Sequence, residues 1–272
     1  MSLSILNNIP SMAAQNQLSV TNSNLQQTLF RLSSGSRINS GADDAAGLAI
    51  ADGLRANVSA LSQSSRNAND GIGALQVADG ALAQVTNLLN RAVTLATEGA
   101  NGTISSAQGT ALDAEYTAIK AEIDRIGSTT TFNGVGVFSA TAATVFLSDG
   151  TTGGGSTIST SVGTLTSAGL TLSGDLTSTA NSQSELTNIT AAIATIASQR
   201  GAIGANINRL QAAGNVINAQ VQNLSKAEDG IRAADIPSEV ANLTKYQILN
   251  STGISALAQA NQVQQSVLKL LQ

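Results

Sequence analysis

The stretch whose reading decides the fold is LRANVSALSQSSRNANDGIGALQVADGALAQVTNLLNRAVTLA, residues 54–96. Every seventh residue is Leu54, Leu61, Ala68, Leu75, Leu82, Leu89 and Ala96, and all are apolar. A strict seven-residue repeat keeps one seam of a slightly underwound helix facing a partner. The partner lies far downstream, where Ile189, Ile196, Ile203, Leu210, Ile217, Leu224 and Ile231 repeat the spacing. A row beside it (Leu186, Ile193, Arg200, Ile207, Gly214, Val221, Glu228) is apolar or small except for Arg200 and Glu228. With a rise of about 1.5 Å per residue, each helix reaches roughly 65–75 Å and is a rod.

Between the rods, Leu112, Tyr116, Ile119, Ile123 and Ile126 alternate at spacings of four and three, which predicts a third helix. The turn-forming run Gly99 to Gly109 precedes it, so this helix folds back on the first, and Gly127 is expected to cap its C-terminus. From Ser128 to about Ser182 the texture changes to Thr, Ser, Gly and Val. Val145-Phe146-Leu147, the Asp149-Gly150 pair, then Ile158 and Val162 predict a small β-hairpin region. The expected fold is mainly α: a long antiparallel coiled-coil-like helical bundle with a small β-hairpin region, plus paired terminal helices.

The chain ends carry apolar stripes without charge. Residues 1–30 and 246–268 contain no charged side chain. Ile5, Ile9, Met12, Leu18, Leu25, Leu29 and Leu32 mark one stripe, and Leu249, Ala256, Val263 and Leu270 the other, with Ala260 and Val267 between. The other faces are Gln, Asn, Ser and Thr, where a soluble helix carries Lys and Glu and a membrane helix tolerates few amides. Enclosure of each end by copies of itself accounts for both facts, because a charge would then meet its own copies at close range. Disordered tails are the alternative, and the two agree if ordering is coupled to assembly.

Composition excludes much else. Cys and His are both absent, which removes disulfides, zinc sites and His-based catalysis. Only 13 Lys and Arg are present against 17 Asp and Glu, so there is no nucleic-acid footprint. No window is long and apolar enough to span a membrane, and no basic residue precedes Arg31 to open a signal peptide. Adjacent Asp43 and Asp44 point apart on a helix, and Gly71-Ile72-Gly73 and Gly134-Val135-Gly136 are too short for a nucleotide loop. No catalysis, metal or cofactor is expected.

Several runs together carry a family resemblance. Arg31-Leu32-Ser33-Ser34-Gly35, Arg37-Ile38-Asn39-Ser40 and Asp43-Asp44-Ala45-Ala46-Gly47-Leu48-Ala49-Ile50 closely resemble the N-terminal signature of bacterial flagellin, as does Asn67-Ala68-Asn69-Asp70-Gly71. Glu122 to Ile126 with Thr131-Phe132-Asn133-Gly134 is similar to that family's passage from helix to β-hairpin. Ala258 to Val263 with Leu268 to Leu271 resembles its C-terminal helix. The resemblance implies a subunit that polymerises with itself into the hollow flagellar filament, is exported unfolded, and acts outside the cell. It implies an inner D0 layer from residues 1–40 with 235–272, a D1 rod from 41–234 holding the β region near 128–182, and no D2 or D3 domain. Terminal-helix packing in the filament would fall on Leu25, Leu29, Leu249, Ala256, Ala260, Val263, Val267 and Leu270.

The connector between layers then falls on Arg31, Gly35, Arg37, Asp43 and Asp44. Glycines turn the chain there, Ser40 with Asp43 or Asp44 caps the rod, and Arg31 and Arg37 reach carboxylates of a neighbour or of Asp235 and Glu239. Pro237 is expected to end the long returning helix. The resemblance further implies an export chaperone on roughly Leu243 to Leu271, a filament cap and hook-associated junction proteins as partners. It also implies a patch of Arg91, Leu95 and Glu115 for the innate receptor Toll-like receptor 5, with departures at Val93 and Glu98; the same residues serve equally as rod surface and seam. Asn57-Val58-Ser59 and Asn101-Gly102-Thr103 match a glycosylation sequon. A hook–filament junction protein or another flagellar axial protein, and a membrane-active secreted helical effector, are the competing readings. The effector requires cationic helix faces, which these ends lack.

Overall fold

The structure is a computed structural model and describes residues 8–139, 143–150, 157–160 and 162–270, with the side chains of 264–270 outside the description. Five helices are described: α1 (Ile9–Ser34), α2 (Ala45–Gly99), α3 (Ser106–Thr129), α4 (Thr179–Arg232) and α5 (Ile236–Leu270). Between α3 and α4 lie β1 (Thr131–Phe132), β2 (Val135–Gly136), β3 (Ala143–Phe146) and β4 (Thr157–Thr160). Contacts divide the chain into two units. One is Met1–Ala56 with Leu224–Gln272, and the other is Asn57–Asn223.

In the Asn57–Asn223 unit, the heptad residues Leu61, Ala68, Leu75, Leu82, Leu89 and Ala96 of α2 are all buried, as are Ile189, Ile196, Ile203, Leu210 and Ile217 of α4. Leu54 and Leu224, which belong to the other unit, are half-buried. Each fully buried Leu or Ile contributes about 1.5–3 kcal/mol. The second buried row of α2 is small: Ser64, Gly71, Ala78, Val85, Ala92 and Gly99. These side chains let neighbouring elements come close; a Cβ on Gly99 would press against Ser182 Oγ. The helices run antiparallel, since Ser65 meets Asn218 while Asp79 meets Arg200.

A capping box starts α3, in which Gln108 N–H donates to Ser105 Oγ while the Gln108 side chain accepts from Ser105 N–H. Its Tyr116, Ile119 and Ile123 are buried. Gly127 is not the cap expected from sequence. The helix continues to Thr129, and Thr130 closes it with its N–H on the Ile126 carbonyl. Gly127 is small for a different reason, since a Cβ there would collide with the Leu165 carbonyl.

The β region is two separate antiparallel pairs. In the first, Phe132 pairs with Val135 across Asn133 and Gly134, whose φ values of 51° and 76° are the positive angles a two-residue hairpin turn needs. In the second, Val145 pairs with Ile158. Leu147 and Val162 lie outside the strands, contrary to expectation. Val162 and the following Leu165, Leu170, Leu172 and Leu176 are instead buried in an irregular segment laid along α3. Asp124 and Asp113 of α3 accept the backbone N–H groups of Ser167 and Leu176 and hold it there.

Candidate assembly site

In the unit formed by the chain ends, α1 starts at Asn8, whose side chain accepts from Ser11 N–H, and ends at Gly35, which takes the left-handed conformation at φ 68°. It pairs antiparallel with α5. Asn8 donates to the Ala260 carbonyl, Ser11 to Asn261 Oδ1, and Asn250 to Asn22 Oδ1. The seam mixes small and polar residues with leucines. Thr21 and Thr28 are buried, Leu18, Leu25 and Leu32 are half-buried, and Glu239, Tyr246, Gly253 and Ala260 repeat every seven residues on α5. A Cβ on Gly253 would lie 3.1 Å from Leu18 Cδ1, so the glycine permits the close approach.

Larger apolar residues point elsewhere. At about 100° per residue, Ile9, Met12, Val20 and Phe30 share the side of α1 opposite its seam, and Met12 and Phe30 are 58% and 57% exposed. On α5, Leu249, Ala256 and Val263 flank one side of the seam and Ile236, Val240 and Ile254 the other, all exposed. Leu29 is 47% exposed. The side chains of Val267 and Leu270, and all of Ile5, lie outside the described residues. Each helix is therefore apolar on more than the side its partner covers.

Between α1 and α2 the chain turns through residues 35–44, clamped to the α4–α5 junction. Ser36 bridges Ala233, Arg37 N–H donates to the Arg232 carbonyl at 2.6 Å, and Ala234 N–H donates to the Gly35 carbonyl at 3.0 Å. Among the described residues Arg37 meets no carboxylate. Its guanidinium donates to the Ile231 carbonyl at 3.1 Å, one of the carbonyls left unpaired where α4 ends. Arg31 lies between Glu239 at 3.5 Å and Asp43 at 3.8 Å. Arg232 pairs with Asp52 and Glu228.

The two aspartates divide the work. Asp44 caps α2 by accepting Gly47 N–H at 2.9 Å, and a Cβ on Gly47 would crowd that carboxylate and Ile38. Asp43 and Ser40 are not caps. Asp43 accepts from the backbone of Asn39 and Ser40, from Ser40 Oγ and from Gln27, closing the loop on itself. The Asn39 and then the Ser40 backbone N–H groups hold the Asp43 carboxyl below its ordinary value. Pro237 does not end the long helix, because α4 stops at Arg232 and Pro237 sits in the first turn of α5, where its missing N–H costs nothing.

On the rod unit, Arg91 forms a two-pronged pair with Glu115, Nε to Oε1 at 2.7 Å and a terminal nitrogen to Oε2 at 3.0 Å. That hydrogen bond and charge lower the Glu115 carboxyl and raise the Arg91 guanidinium. Leu95 is only 1% exposed, so it lies beneath the surface and presents nothing to a partner.

Sequence reasoning missed a buried polar knot. Glu185, 1% exposed, accepts from Tyr116 Oη at 2.5 Å and from Asn188 at 2.9 Å. Burial first, and then Glu185, push the Tyr116 hydroxyl strongly upward. Lys120 stacks 4.6 Å over the Tyr116 ring and donates to the Gly174 carbonyl. Among the described residues no group of His, Cys, Asp and Glu is arranged to hold a metal ion, and no helix is long and apolar enough to cross a membrane.

Comparison with known proteins agrees along the length of the chain. The family profile of the bacterial flagellin N-terminal helical region matches residues 5–143, and that of the C-terminal helical region matches 186–271. Flagellin FlaB2 of Treponema pallidum is 34% identical over 290 residues, covering 98% of this chain and 99% of its own. The flagellin of Halalkalibacterium halodurans is 36% identical over 269 residues with the same coverage. The crystal structure of Bacillus cereus flagellin superposes with a TM-score of 0.50 at 31% identity, over 60% of this chain and 94% of that one.

Proposed function

Because the chain belongs to the bacterial flagellin family, it is a structural subunit of a flagellar filament, and we propose that it enters that filament through α1 and α5. The observation that carries the proposal is the pairing of these helices along a seam that leaves their larger apolar residues uncovered. Met12, Phe30, Leu249 and Val263 are left exposed on segments that have no charge. Burying such faces against copies of the same helices gains the hydrophobic contribution and brings no like charges together. The unit built from both chain ends supplies the layer around the bore, and Asn57–Asn223 supplies the rod layer.

The filament lies outside the cell in this reading, and the subunit reaches it by export along the flagellum. The export chaperone takes α5 from roughly Leu243 onward, where uncharged apolar faces need cover before assembly. The filament cap and hook-associated junction proteins meet the same terminal helices. Toll-like receptor 5 would meet Arg91 and Glu115, and Arg91 must leave its fork with Glu115 to make a new carboxylate contact.

Seeded elongation tests the proposal. Purified monomer added to short fragments of its own filament lengthens them, and a chain lacking residues 1–30 does not. Undiminished growth from the truncated chain would contradict it.

A further inference from the structure

Three arginines of this chain bind a carboxylate through the same fork, the Nε edge and the adjacent terminal nitrogen gripping both oxygens. They are Arg91 on Glu115, Arg125 on Glu122 and Arg200 on Asp79, at 2.6 to 3.2 Å. Arg31 departs from this pattern. One terminal nitrogen lies 3.5 Å from Glu239 Oε1 and the other 3.8 Å from Asp43 Oδ1, both long for a charge-assisted bond. Arg31 Nε and Glu239 Oε2 are shielded from solvent and have no hydrogen-bond partner among the described residues.

The two orphans are a donor and an acceptor on residues that already touch. A single rearrangement satisfies both: the Arg31 nitrogen now near Asp43 moves to Glu239 Oε1, and Nε–H donates to Oε2. Asp43 loses one long contact and keeps Asn39, Ser40 and Gln27. We propose that Arg31 is a two-position latch, split between Asp43 and Glu239 in the free subunit and forked onto Glu239 in the assembled one. This rests on the filament reading above. Arg31 closes α1, Glu239 opens α5, and Asp43 belongs to the loop, so the exchange transfers the end of α1 from the loop to α5. Leu29, Ile236 and Val240, within three residues of the pair in sequence, are exposed. A copy covering them removes water from Arg31, and a short fork gains more from a lower dielectric than two long contacts do.

The test compares seeded elongation by wild type, Asp43→Asn, Glu239→Gln and Arg31→Lys, with circular dichroism to verify equal helix content. In Asp43→Asn the amide oxygen still accepts the loop N–H groups while its NH2 repels Arg31, so the fork is favoured beforehand. Elongation is expected to quicken about threefold, as removing a conformational cost predicts. Glu239→Gln and Arg31→Lys cannot fork, and each is expected to slow elongation about tenfold, with no further loss when combined. In arginine-labelled samples, the Nε–H resonance abolished by Arg31→Lys should move to a hydrogen-bonded position in the filament only. If Asp43→Asn slows growth as Glu239→Gln does, or that resonance is unchanged on assembly, the latch is overturned while the filament reading stands. If wild-type monomer adds to no seed, the filament reading falls and takes the latch with it.

Discussion

Arg200 of α4 grips Asp79 of α2 with two parallel bonds, Nε to Oδ1 at 2.8 Å and a terminal nitrogen to Oδ2 at 3.2 Å. Arg200 is the charge that interrupts the apolar row from Leu186 to Val221, and Asp79 is what it answers. Both side chains are more than a third exposed, so the pair adds little stability. Its geometry fixes which turn of one helix faces which turn of the other. Arg200→Ala is expected to cost about 1 kcal/mol or less, read from the urea midpoint. Asp79→Arg should cost more, and adding Arg200→Asp should restore most of the loss.

Gly127→Ala is expected to be far more damaging than a helical Gly-to-Ala change normally is. Alanine is the better helix former, but its methyl would occupy the Leu165 carbonyl position. Displacing that backbone should cost about 1–3 kcal/mol, seen as a lower melting temperature. A rise in melting temperature would mean that the close approach is absent.

Tyr116→Phe removes one of two donors from a carboxylate that has no access to water. The expected loss is about 1–3 kcal/mol, measured by denaturant unfolding. Glu185→Gln keeps the size and removes the buried charge, so it should cost less than Glu185→Ala.

Acid should loosen the connector before the rod seam. Asp43 has a lowered carboxyl in the folded chain. Its contribution is therefore fully present above the unfolded value near 3.9 and is lost as pH falls through the lower folded value. The Ser40 amide shift should accordingly stay constant from neutral pH to about 5 and move below about 4. In Asp43→Asn that movement should vanish.

The rods were legible because Leu61, Leu75, Leu82, Leu89 and the isoleucines of α4 repeat at one spacing, and hydrophobic burial follows that spacing directly. The α1–α5 seam was not legible in the same way. Its buried residues are Thr21, Thr28 and Glu239, with Leu18, Leu25 and Leu32 only half-buried, and a search for hydrophobic rows on α5 selects Leu249, Ala256 and Val263, which flank the seam and stay exposed. Gly127 and Pro237 were misread because each residue type has two uses: glycine caps helices or admits a close neighbour, and proline ends helices or starts them. The Tyr116–Glu185 bond joins residues 69 apart in the chain, and no local pattern announces a buried carboxylate. The sequence put Arg31 and Arg37 alike within reach of a neighbour's carboxylates or of Asp235 and Glu239 without choosing among them; the structure brings Arg31 to Glu239 and Arg37 to a backbone carbonyl, an acceptor that leaves no mark in the sequence.

The most direct measurement is an electron cryomicroscopy map of the assembled filament at a resolution that traces side chains. The account predicts α1 and α5 around the bore, with Met12, Phe30, Leu249 and Val263 covered by neighbouring copies. Terminal helices standing free in solvent, with those four side chains uncovered, would contradict it.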